Sequence, residues 1–263
     1  MQALETELIG MIREAVAAAT AVAGAGADTV TQYREPLVAF ASAQDPRFRY
    51  LREAVSPIHL IPEEMVPGAR TVLSFFLPFA PWVVEANARE RKTVAIEWMQ
   101  AYIETNALIG RISTQIVDAL AERGIAAAAE PATHNFDEVS LQSRWSHKSV
   151  AVIAGLGSLG LHQMVITDAG CAGRFGSVAM DAEIPVKPVE PVVRCLAFYD
   201  GSCMECVARC PVSALDASQP LDKHRCHDYL MNTAQSHAEL GVVDVCGKCA
   251  VGPCSFGSAV PAD

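Results

Sequence analysis

Apolar positions near the start of the chain repeat at helical spacing. In MQALETELIGMIREAV, Leu4, Leu8, Met11, Ile12 and Ala15 fall on one face, which predicts an amphipathic helix. A proline-rich stretch follows, with Pro36, Pro46, Pro57 and Pro62, and reads as loop. Pro67-Gly68 then signals a turn. Thr71 to Leu77 is a compact β-prone run ended by Pro78, the pattern of a strand buried on both faces. Beyond Thr93, Ile109, Ile112, Ile116 and Leu120 keep helical phase and Gly124 stands at a natural C′ position, so a long helix is predicted there. Gly110 inside it lowers helix propensity and is read as a point of close packing. SVAVIAGLGSLGLHQMVIT predicts a strand, a glycine loop and a further apolar run, and GRFGSVAMDAEI another strand. Both kinds of element mix without a strict βαβ rhythm, so this part of the chain reads as α/β or α+β.

Composition divides the chain. Eight of nine cysteines lie between Cys195 and Cys254, and only Cys171 lies outside. AEIPVKPVEPVV, with Pro185, Pro188 and Pro191, reads as a connector, which gives expected domains of 1–190 and 191–263. No uninterrupted apolar run is long enough for a membrane span. The N-terminus carries Glu5, Glu7 and Glu14 and lacks a basic region, so a secretory signal is not expected and a cytoplasmic protein is. The formal net charge of −10 argues against nucleic acid as a main partner, because phosphate backbones are bound by basic faces.

In a reducing compartment such a cysteine cluster points to metal rather than disulfides. CLAFYDGSCMECVARCPVSALD holds a C-x2-C-x3-C-P run, and Asp200 occupies the place where a bacterial ferredoxin has its first cysteine. A zinc ribbon would pair Cys203/Cys206 with Cys246/Cys249, leaving Cys195, Cys210, Cys226 and Cys254 unused. Iron–sulfur chemistry uses all eight. The cysteine before proline crosses to the other cluster in two-cluster ferredoxins. By that rule Cys210, Cys226, Cys246 and Cys249 hold one [4Fe–4S] cluster, and Cys203, Cys206 and Cys254 hold the other. Its fourth ligand is Cys195 or Asp200, and a soft thiolate favours Cys195.

Gly155, Gly157 and Gly160 spell G-x-G-x-x-G after an apolar run. Three readings stay open: a dinucleotide site with Asp181 as its ribose contact, a tight turn, or a loop whose backbone approaches some other cofactor.

VPGARTVLSF, AGLGSLGLHQMVIT, GRFGSV and CMECVARCPVSALD…KHRC, followed by CGKCAVGPC, occur in an order that resembles the epoxyqueuosine reductases, over roughly residues 60 to 255. These are cobalamin- and iron–sulfur-dependent enzymes related to reductive dehalogenases. The resemblance implies a nitroreductase-like α+β core that holds a base-off corrinoid beside a C-terminal ferredoxin-like dicluster domain. The clusters would reduce the cobalt to a strongly nucleophilic state. It implies that Gly155, Gly157 and Gly160 line the corrinoid. Three further residues are cofactor-binding candidates on their own reading: His162, just after the loop, is either a cofactor contact or a half-buried strand histidine, Arg174 is either a clamp for a phosphate or propionamide or a solvated turn arginine, and Ser177 follows it in GRFGS. Departures are visible. The place of the family's aspartate general acid falls at Leu141, with Asp137 four residues out of register, and RWSHKS replaces the family's E-K pair. The family's helical-repeat extension, which helps bind tRNA, is not seen before residue 263.

His147 is the candidate catalytic proton donor, since imidazole titrates near neutrality; a cofactor hydrogen-bond partner and a plain capping residue are the alternatives. Tyr102 and Trp145 read as core residues, and Cys171 as a small buried hydrophobe. The expected function is reduction of a small substrate by cobalamin and two clusters, with electrons from ferredoxin or flavodoxin. The alternatives are an electron-transfer or corrinoid-handling protein, and a flavin- or nucleotide-linked reductase.

Overall fold

The computed structural model describes residues 2–23, 30–186 and 188–261. Helix α1 (Gln2–Val22) leads to β1 (Leu37–Ser42), short helices α2 (Arg47–Ala54) and α3 (Pro62–Met65), and β2 (Thr71–Pro78). Helices α4 (Pro81–Arg89) and α5 (Ile96–Ala121) follow, then the short strands β3 (Ala127–Ala128), β4 (Phe136–Asp137) and β5 (Gln142–Ser143). Helix α6 (His147–Ile153) precedes β6 (Gly157–Leu159), β7 (Val165–Thr167) and β8 (Gly173–Met180). Past the proline-rich connector come α7 (Leu196–Tyr199), α8 (Glu205–Arg209) and α9 (Lys223–Ser236), joined by loops.

The main sheet runs β1-β2-β8-β3 with antiparallel neighbours throughout. Every residue of β2 is buried, because period-two alternation sends apolar side chains to both faces. Leu73, Phe75 and Leu77 pack on Ile109, Ile112 and Ile116 of α5 and on Leu8 and Ile12 of α1. On the opposite face Val72 meets Val150 and Ile153 of α6, and Phe76 meets Ala151. The result is a three-layer arrangement: a helix pair, the sheet, and α6. Each large apolar side chain so buried contributes about 1.5–3 kcal/mol.

The predicted first helix, buried strand, long helix and final strand all form, and Gly124 (φ +71°) closes the turn after α5. Four expectations are corrected. The stretch from Pro36 to Pro62, read as loop, contains β1 and α2 and reaches α3. SVAVIAG is a helix rather than a strand, because Ser146 caps α6 through its Oγ, which accepts from the Ser149 amide at 3.2 Å. Gly110 is exposed on α5 and a Cβ there would meet nothing within 4 Å, so no close packing requires it. The dinucleotide reading also lapses: the glycine loop joins a helix to the β6–β7 hairpin, not a strand to a helix. Asp181 instead pins β3, its Oδ1 accepting from the Ala126 amide at 3.0 Å.

One apolar cluster joins the segment after the connector to the rest. Phe79, Val83, Trp98, Met99, Ile166 and Cys171 pack with Val243, Ala250 and Val251. Backbone bonds add to it, from the Cys171 amide to the Cys254 carbonyl at 3.0 Å and from the Ala172 amide to the Ser255 carbonyl at 3.4 Å. Among the described residues no helix is long and apolar enough to cross a membrane.

A Cβ at Gly157 would collide with the Ile166 carbonyl in the β6–β7 pair. Gly157→Ala is expected to cost about 1–3 kcal/mol by overpacking. Gly110→Ala is expected to stabilise by up to about 1 kcal/mol. Thermal or urea unfolding of the two variants checks both signs.

Candidate functional site

All nine cysteines are free, and eight of them gather in two groups. Cys195, Cys203, Cys206 and Cys254 line a small cavity of about 20 Å³. Cys210, Cys226, Cys246 and Cys249 line a larger one of about 380 Å³, with Cys249 reaching the rim of the first as well. The electrostatics divide the same way. Burial, then Cys254, Cys195 and Cys203, push the Cys206 thiol up to about 11. Burial, with Cys226 and Cys210, pushes Cys246 up to about 11. Burial raises Cys249 further, reinforced first by Cys246 and Cys226. Cys203/Cys206 and Cys246/Cys249 thus lie in different groups, which is not the pairing of a zinc ribbon. Cys210, the cysteine before Pro211, sits apart from its sequence neighbours Cys203 and Cys206, as in the crossed ligand pattern of two-cluster ferredoxins. Asp200 lines neither cavity. It is exposed, and its carboxylate accepts from the Ser202 amide at 2.9 Å.

Local structure places these sulfurs. Cys195 caps α7, Cys206 lies on α8 and Cys210 ends it, and the Ala214 amide donates to the Cys210 sulfur at 3.1 Å. Cys226 sits in the first turn of α9, which Asp222 caps. The Cys246–Cys249 loop is pinned most firmly. Gly247 has φ +70° and no room for a Cβ against the Trp98 indole. Lys248, 1% exposed, donates to the Asn87 carbonyl and to Asn87 Oδ1, both at 2.7 Å. Asn87 Nδ2 in turn donates to the Cys246 carbonyl at 2.9 Å. Burial lowers Lys248 to about 8.

The larger cavity has the second cysteine group on one side and a mixed wall on the other. Phe79, Trp98, Met164 and Leu230 supply apolar surface, and Tyr102, Lys148, Arg174 and Asp244 supply polar groups. A second cavity of about 300 Å³ adjoins it across Thr133, Phe136, Lys148, Met164 and Arg174. Trp98 and Tyr102 face the site because they lie one turn apart on α5. The Tyr102 hydroxyl donates to Asp244 Oδ1 at 2.7 Å, and burial raises its pKa. The Arg174 guanidinium stacks 4.5 Å over the Tyr102 ring, and its buried Nε has no partner among the described residues. Lys148 donates to the Gln163 carbonyl at 2.9 Å, and burial lowers its pKa.

His147 borders the second cavity, but both of its ring nitrogens are engaged. Nε2 lies 3.0 Å from the Pro131 carbonyl, which can only accept, so Nε2 carries the hydrogen. Nδ1 then accepts from Ser177 Oγ at 2.8 Å, and Ser177 Oγ accepts from Trp145 Nε1 at 2.9 Å. Burial pushes the imidazole down to about 4. Ser177, expected at a cofactor, therefore sits behind the wall and fixes this chain. His162 and Arg174 do line the larger cavity. Gly155, Gly157 and Gly160 line neither: a Cβ on them would meet Val189, Ile166 and His162 respectively. Trp145 is core, as expected. Cys171 is fully buried, as expected, but its sulfur lies 3.7 Å from that of Cys254, whose thiol is lowered by that contact and by His162. Asp137 is exposed and spent on its own turn, accepting from the Val139 and Ser140 amides. Sequence reasoning missed Tyr102 and Asp244 as site residues. The one available signal was a lone acid, Asp244, between valines two residues before Cys246.

No protein-family model matches the chain. It is 31% identical over 108 residues to an epoxyqueuosine reductase of Yersinia pestis, covering 38% of this chain and 25% of that one. It is 28% identical over 173 residues to that of Xanthomonas campestris, covering 64% of this chain and 45% of the relative. The chain thus spans less than half the length of these curated relatives. Among solved structures, an epoxyqueuosine reductase with an epoxyqueuosine-modified tRNA-Tyr stem loop matches with a TM-score of 0.53 at 18% identity, over 95% of this chain and 67% of that one. A reductive dehalogenase structure described as indicating a mechanism for B12-dependent dehalogenation matches with a TM-score of 0.53 at 15% identity, over 81% and 28%. The chain resembles the epoxyqueuosine reductases in sequence and shares a mixed α/β fold with them. Because a structural relative holds tRNA, the expectation that nucleic acid is an unlikely partner finds no support in these comparisons.

Ser177→Ala leaves the Trp145 N–H and His147 Nδ1 unpartnered and is expected to cost about 1–3 kcal/mol in urea unfolding. The His147 imidazole is depressed in the folded state, so its contribution is complete above the unfolded pKa near 6.5 and is lost as pH falls towards 4. His147→Asn is expected to remove that component. The measurement is the difference in stability between the two proteins across this pH range.

Proposed function

We propose that this chain is a cytoplasmic iron–sulfur oxidoreductase that carries two [4Fe–4S] clusters and a corrinoid and reduces a small substrate. The observation that carries the reading is the alignment of sites: the first cysteine group, the second cysteine group, and a cavity lined by the second group. The donor sets fit the clusters, being two groups of four thiols with crossed sequence order. The corrinoid reading is supported by the two adjoining cavities, their apolar walls, and the unpartnered Arg174 Nε beside them. Residues 1–190 would form a nitroreductase-like core and 191–263 a ferredoxin-like dicluster unit, packed through a shared apolar cluster.

A bound, reduced corrinoid supplies a strongly nucleophilic and reducing metal centre. The chain's own residues do the rest. Tyr102 presents a phenol whose proton burial retains, Arg174 and Lys148 present cations, and Asp244 orients Tyr102. His147, being neutral with both nitrogens engaged, orients the wall instead of donating a proton. A small substrate is favoured over tRNA by the net charge of −10 and by the exposed, self-engaged Asp137. Exposed Phe198, Tyr199 and Met204 on and beside α7, near the first group, favour a second reading, an electron-transfer protein that passes electrons to a partner. A ferredoxin or flavodoxin would be the donor in either case.

Anaerobic reconstitution of the full chain is expected to load about eight irons, the content of two four-iron clusters. Cys195→Ala should lower this to roughly four while Asp200→Ala leaves it unchanged. Added cobalamin should give a base-off spectrum. Eight irons without that spectrum would shift the reading to the electron-transfer protein, and four irons in the wild type would overturn the two-cluster assignment.

A further inference from the structure

His162 is buried, at 4% exposure, and its ring is oriented from both sides. The Met164 amide donates to Nδ1 at 3.1 Å, which places the hydrogen of the neutral ring on Nε2. Nε2 stands 3.2 Å from the sulfur of Cys254. A nitrogen that bears hydrogen at that distance from sulfur is a donor. Gly160 makes room for this ring, since a Cβ there would lie 2.8 Å from His162 Cε1. The last glycine of the G-x-G-x-x-G loop thus has a local purpose that the cofactor reading did not supply. Among the described residues, none of the other seven cysteines in the two groups takes a hydrogen bond from a side-chain nitrogen; Cys210 takes one from a backbone amide.

We propose that His162 is a positioning residue that sets the reduction potential of the cluster held by Cys195, Cys203, Cys206 and Cys254, by donating its Nε2–H to the Cys254 sulfur. This inference rests on the two-cluster reading above. The step is a one-electron reduction. An external one-electron donor protein is oxidised, the cluster gains one negative charge spread over iron and sulfur, and no proton or bond is exchanged. A donor aimed at a ligand sulfur stabilises the more negative state, so it raises the potential. That makes this cluster easier to load than it would be without the bond, which suits the group that lies beside the exposed α7 surface. The fixed tautomer matters: the ring with its hydrogen on Nδ1 would present the Nε2 lone pair to the sulfur and lose the donated bond.

The test is an EPR-monitored redox titration of the anaerobically reconstituted full chain, with His162→Leu and His162→Gln beside the wild type. His162→Leu is expected to shift one midpoint potential downward and leave the other in place. The expected shift is about tenfold in the one-electron equilibrium, or about 59 mV. His162→Gln, which keeps an N–H, should recover part of it. Unchanged potentials in His162→Leu at full iron content would overturn the proposal. A measurement that needs no variant is pulsed EPR of wild type labelled with 15N-histidine. A histidine-nitrogen coupling to one reduced cluster is expected, and its absence in protein with about eight irons would overturn the proposal. About four irons in the wild type would instead overturn the two-cluster reading beneath it.

Discussion

Thiols resist ionisation when buried, and they resist it more when their neighbours are thiols. Burial and nearby sulfur raise Cys206, Cys226, Cys246 and Cys249 together. A protein gains nothing from crowding such groups unless cations share the space, because a coordinating metal deprotonates thiols that would otherwise stay protonated. The rest of the molecule serves that crowding. Lys248 and Asn87 hold the Cys246–Cys249 loop from beneath, Trp98 closes on Gly247, and the Cys171–Cys254 backbone bond ties Cys254 to the β7–β8 turn. These anchors come from α4, α5 and the β7–β8 turn, so the cysteine-rich segment leans on the three-layer core and shares one apolar cluster with it.

The cavity follows from the same packing. Helix α5 lays Ile109, Ile112 and Ile116 on the sheet and carries Trp98 and Tyr102 past it toward the second cysteine group. Helix α6 packs on the opposite face and delivers Lys148 to the same space, with His147 locked by Ser177 and Trp145 behind it. Rigid elements thus set the polar wall, and the loops of the cysteine segment close its other side.

Much of the fold could be read from the chain because long periodic segments state their own structure. The phase of Ile109, Ile112, Ile116 and Leu120, and the apolar run from Val72 to Leu77 broken only by Ser74, leave little choice. SVAVIAG misled because a short buried helix and a short buried strand look alike in hydropathy, and only the Ser146 cap separates them. The cysteine groups were legible because thiols in fixed local spacing have few alternative uses. The cavity wall was legible only at His162 and Arg174. Tyr102, Lys148 and Asp244 come from three other distant segments, and nothing local in them announces the meeting. The glycine loop was legible as a constraint but not as a purpose, because what Gly157 and Gly160 accommodate is Ile166 and His162 of the chain itself.

The central claim is that two four-iron clusters sit side by side, each held by one of the two cysteine groups. Crystals of the anaerobically prepared protein, measured on both sides of the iron and zinc absorption edges, address it directly. The account predicts two compact iron peaks, one among Cys195, Cys203, Cys206 and Cys254 and one among Cys210, Cys226, Cys246 and Cys249. A zinc signal at either group, or iron bound at only one, would contradict it.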